Sequence, residues 1–69
     1  MTVVSMTGKM VNIDRFDVLG VDECEIYAQN DKRDVTLGKY ESDEAARNDL
    51  FALSEAMARG DIVFWMKKA

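Results

Sequence analysis

One segment constrains this chain more than any other: Ser42 to Gly60 carries every local signal of an amphipathic helix. Ser42 is a strong N-cap residue, because its hydroxyl can accept from an amide that has no partner inside the helix. Asp43 and Glu44 follow in the first turn, where the helix dipole favours negative charge. Ala46, Leu50, Leu53 and Met57 fall at i, i+4, i+7 and i+11 and so predict one apolar stripe. Asp43 with Arg47, and Glu55 with Arg59, are spaced as i,i+4 ion pairs in the favourable orientation. Arg59 occupies the last turn, and Gly60 suits the left-handed residue that ends a helix. A helix over residues 43–59 is therefore expected.

The rest of the chain reads as short strands punctuated by glycine. Val3-Val4-Ser5-Met6 and Met10-Val11-Asn12-Ile13-Asp14 flank a turn at Thr7-Gly8-Lys9. Phe16-Asp17-Val18 continues the alternation up to Leu19-Gly20, and Val21-Asp22-Glu23 reads as a turn. Ile26-Tyr27-Ala28-Gln29 and Val35-Thr36-Leu37, joined by the polar loop 30–34, form the clearest hairpin, with Ile26, Ala28, Val35 and Leu37 meeting on one side. Gly38 in the second arm suggests a bulge or a close backbone approach. Ile62-Val63-Phe64-Trp65-Met66 reads as a final strand near residues 62–67. It does not alternate, which is the pattern of a strand covered on both faces. Lys67 and Lys68 after it would guard an open edge. The expected fold is α+β: one domain over residues 1–69, with a small antiparallel sheet of about four to six strands packed on the single helix.

At 69 residues the domain buries only about 60% of its unfolded surface, so its core is thin. Small folds compensate with disulfides, a metal or association. A single cysteine excludes an internal disulfide, and without histidine an ordinary zinc site cannot be assembled. Unusually good packing or association with a partner remains; association is the favoured reading, so a homo-oligomer is expected. The N-terminus has no continuous apolar stretch of the signal-peptide kind, and no run approaches the roughly 18 apolar residues of a membrane span. One unpaired cysteine fits a reducing compartment, and the cytoplasm is the expected location. Nine basic against thirteen acidic residues give a net charge of −4, which argues against direct nucleic-acid binding. An acidic chain could instead mimic nucleic acid in a basic groove, although a charged, soluble surface accounts for the same balance.

No catalytic constellation is present. Without histidine, Cys24 and the serines lack their usual activating base, and Cys24 reads as a small apolar filler. Asp14, Asp17, Asp22, Glu23 and Glu25 crowd the first half, and Asp31 and Asp34 flank a loop, but no calcium-loop or phosphate-loop spacing occurs. They are expected to be solvated hairpin ends, or a contact patch for a basic partner. No cofactor and no metal are expected, and the chain does not read as an enzyme. A carboxylate hydrolase would need a cleft that so small a domain can hardly build.

The aromatic residues say more. Phe51 lies about 100° from Leu50 around the helix, on a flank shared with Ala58. Phe64 and Trp65 point to opposite faces of the last strand, so one helix cannot cover both. Met6, Met10, Met57 and Met66 suit either a core or an adaptable contact surface. Phe51, Ala58, Phe64, Trp65 and Met66 are the candidate interface residues.

Ile26-Tyr27-Ala28, then Leu37-Gly38-Lys39-Tyr40-Glu41-Ser42-Asp43-Glu44-Ala45-Ala46, then a helix and a short strand ending in Met66, resemble a group of short proteins of Gram-positive bacteria and their prophages. The resemblance covers roughly the last two-thirds of the chain and rests on a strand, a capped helix and a strand. Where members of the group carry proline after the methionine, this chain has Lys67. The group brings no activity and no site residues with it; it implies an accessory role in a phage or mobile element, within the host cytoplasm. The expected function is then a non-enzymatic, oligomeric binding protein that blocks a host protein or sequesters a small ligand. The competing expectation is a structural or assembly component of a phage particle or other complex.

Overall fold

The computed structural model describes residues 1–66. Lys67 and Lys68, expected to guard the last strand, and the far end of that strand near residue 67 lie outside the described residues. The elements follow in the order β1 (Thr2–Val4), β2 (Met10–Asn12), a 3-10 turn (Ile13–Arg15), β3 (Val18–Asp22), β4 (Glu25–Gln29), β5 (Asp34–Lys39), α1 (Asp43–Arg59) and β6 (Val63–Trp65). This is the expected α+β fold, with its strands divided between two three-stranded sheets, β2-β1-β6 and β3-β4-β5. β1 and β6 run parallel; every other pairing is antiparallel.

The division has a local cause. Asn12 accepts the Asp14 amide on its side-chain oxygen at 3.1 Å. That Asx-type bond draws the chain into a 3-10 turn and ends β2 at Asn12, two residues short of the expected Asp14. The ladder restarts when the Asp17 amide donates to the Gln29 carbonyl at 2.9 Å, now in the second sheet. Ile13 still reaches the core, at 4% exposure.

The turn expected at residues 21–23 is displaced. β3 runs on to Asp22, which pairs with Glu25, so the reversal consists of Glu23 and Cys24. Both have positive φ, 48° and 65°, as a two-residue hairpin of the primed kind requires. Neither is the usual Asn or Gly, and the left-handed conformation costs such residues about 1 kcal/mol each. Outside contacts hold the turn: the Cys24 amide donates to Asp43 Oδ1 at 2.9 Å, and the Cys24 carbonyl accepts from the Tyr40 amide at 2.8 Å. Cys24 is therefore a turn residue and not the core filler expected of it.

The β4–β5 hairpin matches expectation, including an irregularity at Gly38. Ile26 opposes Gly38 while Tyr27 opposes Thr36, which leaves Leu37 as the extra residue of a bulge. Leu37 and Gly38 are consequently both buried. A Cβ on Gly38 would stand 3.0 Å from the Met6 sulfur, so the close approach is real as well. Here the Met6 amide donates to the Leu37 carbonyl at 3.0 Å and ties the loop after β1 to the second sheet.

α1 has the expected ends. Ser42 Oγ accepts the Ala45 amide at 3.1 Å. Gly60, with φ +81°, donates to Met57, and Asp61 donates to Ala56, which together make a Schellman closure. The buried line, however, is Ala46, Asp49, Leu53 and Ala56, with Leu50 half-buried and Met57 45% exposed. The helix is thus rotated from the expected stripe, because Asp49 fits inside: Tyr40 donates its phenol proton to Asp49 Oδ2. The Asp43–Arg47 pair forms at 3.9 Å, whereas Arg59 turns to Asp61 at 2.9 Å.

α1 lies against β3 and β4. Val3 and Val11 from the first sheet, Ile26, Ala28 and Leu37 from the second, and Ala46 and Leu53 from the helix share one core with Ile13 and Met66.

Candidate interaction surface

Cross-strand partners project to the same face of a sheet. In the first sheet Val3 is in register with Val11 and Phe64, and this row points into the core. The next row must point outward: Val4 is in register with Met10 on β2 and Trp65 on β6, and Thr2 with Asn12 and Val63. Met10 is 76% exposed, Trp65 70% and Val63 42%. Val4 lies between the two largest, buried although it is not part of the core cluster. The outer face of this sheet therefore carries the apolar row Met10-Val4-Trp65 and Val63 beside Thr2 and Asn12, with Met10 and Trp65 largely exposed.

The second sheet presents the opposite character. Its outer face carries Asp22, Glu25, Gln29, Asp34 and Thr36 around Tyr27. Tyr27 lies across Gly20, where a Cβ would come within 2.8 Å of Oη. Thr36 donates to Glu25 at 3.2 Å. On sheets of equal size, one polar face and one with an exposed apolar row mark the apolar row as the feature to explain.

Among the candidate interface residues, Phe51, Trp65 and Ala58 are exposed and Phe64 is half-buried. Met66 belongs to the core: it is 7% exposed and its amide donates to the Val4 carbonyl at 2.9 Å. Phe51 stands over a shallow groove between α1 and β3, with Leu19, Arg47, Leu50 and Ser54. Within the single chain the second face of the last strand is left open, since Val63 and Trp65 look out; the non-alternating pattern would be met there by a second subunit or a partner, or by little at all. Met10, which suits either a core or a contact surface by type, falls on the exposed row, and Val63 joins it there. Only the pairing of β1 with both β2 and β6 brings them beside Trp65, and no local signal announces it.

The groups that could carry chemistry are dispersed. The hydrogen bond with Asp43, then desolvation, then the charges of Asp43 and Glu23 push the Cys24 thiol up, which disfavours the nucleophilic thiolate. Burial, and then the bond to Asp49 and its charge, push the Tyr40 phenol well above its ordinary range. Asp14 is engaged with the Met1 amino group at 3.0 Å. Among the described residues no group of three acidic, cysteine or histidine side chains is placed to hold a metal ion. No helix among them is long and apolar enough to cross a membrane. Comparison with protein-family models, with curated proteins and with solved structures gave no match.

Proposed function

We propose that this is a non-enzymatic binding protein that works by covering a surface of another molecule. The observation that carries the reading is the exposed apolar side chains on the outer face of β2-β1-β6, Met10, Val63 and Trp65, between 42% and 76% exposed. An uncovered apolar row of this kind on a small domain marks a binding surface, and aromatic anchors supply much of the energy in such contacts. Joined to the resemblance to short phage-encoded proteins, the reading becomes an accessory inhibitor in the host cytoplasm. It would self-associate and block a host defence or regulatory protein, or trap its ligand.

The test is functional. Purified protein is added to host extract, the bound partner is recovered, and that partner's activity is assayed with increasing amounts of the protein. Inhibition that saturates at fixed stoichiometry, and is lost with Trp65→Ser or Phe51→Ser, supports the reading. A stable monomer whose two variants retain every partner refutes it. The second reading, an assembly component of a particle, draws on the open edge of β6, which can extend a sheet from chain to chain. It requires co-purification with particles or growth into large assemblies, and no inhibited enzyme.

A further inference from the structure

We infer that the occupant of the β6 edge is a second copy of this chain, joined antiparallel across a two-fold axis at Phe64 to make one six-stranded sheet. The inference rests on the binding reading above and names the partner for part of the same face.

The backbone of β6 is used on one side only. Thr2 donates to the Ile62 carbonyl and Met66 donates to the Val4 carbonyl, both at 2.9 Å, with Phe64 opposite Val3 between them. Successive residues of a strand direct their backbone groups to alternate sides. The amides and carbonyls of Val63 and Trp65 therefore point away from β1, towards the side on which no strand lies among the described residues.

Those open groups complement themselves. With β6 of two copies antiparallel about Phe64, Val63 of each copy stands opposite Trp65 of the other. Each such pair exchanges two hydrogen bonds, and Phe64 meets its own counterpart at the intervening non-bonded position. Every open group of both strands is then satisfied. A slip of one residue sets them against groups that β1 already holds.

Side chains favour the same register. The indole of one copy lies beside the Val63 side chain of the other on the outer face, an aromatic and β-branched pair of the stabilising kind. The rows Met10-Val4-Trp65 and Val63-Thr2-Asn12 then run end to end across six strands. Ile62 to Met66 contains no charge, proline or glycine that would blunt the edge. Three residues of strand bury less than the roughly 800 Å² per partner of a stable interface, so the dimer dissociates on dilution.

Sedimentation over a dilution series tests this directly, and Trp65 reports on it because it is the sole tryptophan. The mass should rise from 7.8 kDa to twice that value and stop there, with Trp65 emission shifting to the blue along the same curve. Hydrogen exchange of the Val63 and Trp65 amides should slow as the dimer forms. Trp65→Lys and, as a second variant, Val63→Lys should remain monomeric with unchanged circular dichroism, while Phe51→Ser dimerises like the parent. A mass of 7.8 kDa at every concentration, growth beyond the dimer, or a dimer whose Val63 and Trp65 amides exchange freely overturns the pairing. A monomer that still inhibits a target overturns only the pairing; a dimer that inhibits nothing overturns only the binding reading.

Discussion

Removing one oxygen atom, by Tyr40→Phe, should cost this domain a sizeable part of its stability. Asp49 is 6% exposed inside α1, on the line of residues that faces the sheet. Its carboxylate accepts the Tyr40 phenol proton, so the variant leaves a buried acceptor with one donor fewer. A hydrogen bond to a charged group is worth about 1.5–3 kcal/mol. Tyr40 is only half-buried, so water can replace part of the contact, and the lower end, about 1.5 kcal/mol, is the expected loss. For a domain of this size that corresponds to a fall in Tm of about 6–12 °C. It is a large fraction of the roughly 3–10 kcal/mol available to 69 residues. The pH dependence supplies an independent check. The folded phenol holds its proton well above its ordinary pKa of 10.0. Above pH 10 the unfolded chain therefore releases a proton that the folded chain keeps, and stability falls as pH rises. Thermal melts by circular dichroism at neutral pH and above pH 10 measure both effects: the variant melts lower at neutral pH and loses part of the alkaline decline. Equal melting of variant and parent at neutral pH would refute the packing argument for Asp49.

The rotation of α1 is tested by a pair of truncations followed by urea titration. Leu53→Ala, at a fully buried site, should cost about 2–5 kcal/mol, whereas Met57→Ala, 45% exposed, should cost under about 1 kcal/mol; comparable losses would restore the stripe expected from periodicity. Replacing Glu23-Cys24 by Asn-Gly relieves two positive φ angles and should raise stability by about 1 kcal/mol, and a lower Tm would show that the Cys24 side chain itself matters to the turn. The Cys24 thiol, held above its usual pKa beside Asp43 and Glu23, should react with iodoacetamide at neutral pH more slowly than free cysteine, and faster alkylation would contradict that environment.

What could be read from the residues follows the range of the interactions involved. The helix bounds, its two caps and the β4–β5 hairpin with its bulge at Gly38 depend on neighbours a few positions away, and the sequence displays them. Asp49 is different. Counted by type it belongs on the wet side of α1, and its burial depends on Tyr40, nine residues earlier and outside the helix. The Glu23-Cys24 reversal carries none of the usual turn residues and depends on Asp43, nineteen positions on. The exposed row was partly legible: Trp65 stood out by type, whereas Met10 and Val63 join it only through the pairing of β1 with strands on either side. That pairing is the longest-range contact in the fold, and no local pattern encodes it.

The parallel pairing of β1 with β6 also sets the order in which the molecule can be made. Residues 2–4 must wait for residues 63–65 before their sheet is complete. The hairpins of β3, β4 and β5 and the turns of α1 need only neighbouring chain. On the ribosome, that half can therefore assemble while β1 and β2 remain a two-stranded ribbon, a form with little stability of its own. Val3 and Val11 stay partly uncovered until the last strand emerges. Residues 63–65 thus do more than close a sheet. They end the interval during which this chain is most exposed to proteases and to its own neighbours, and a truncation before β6 should prolong that interval for the life of the protein.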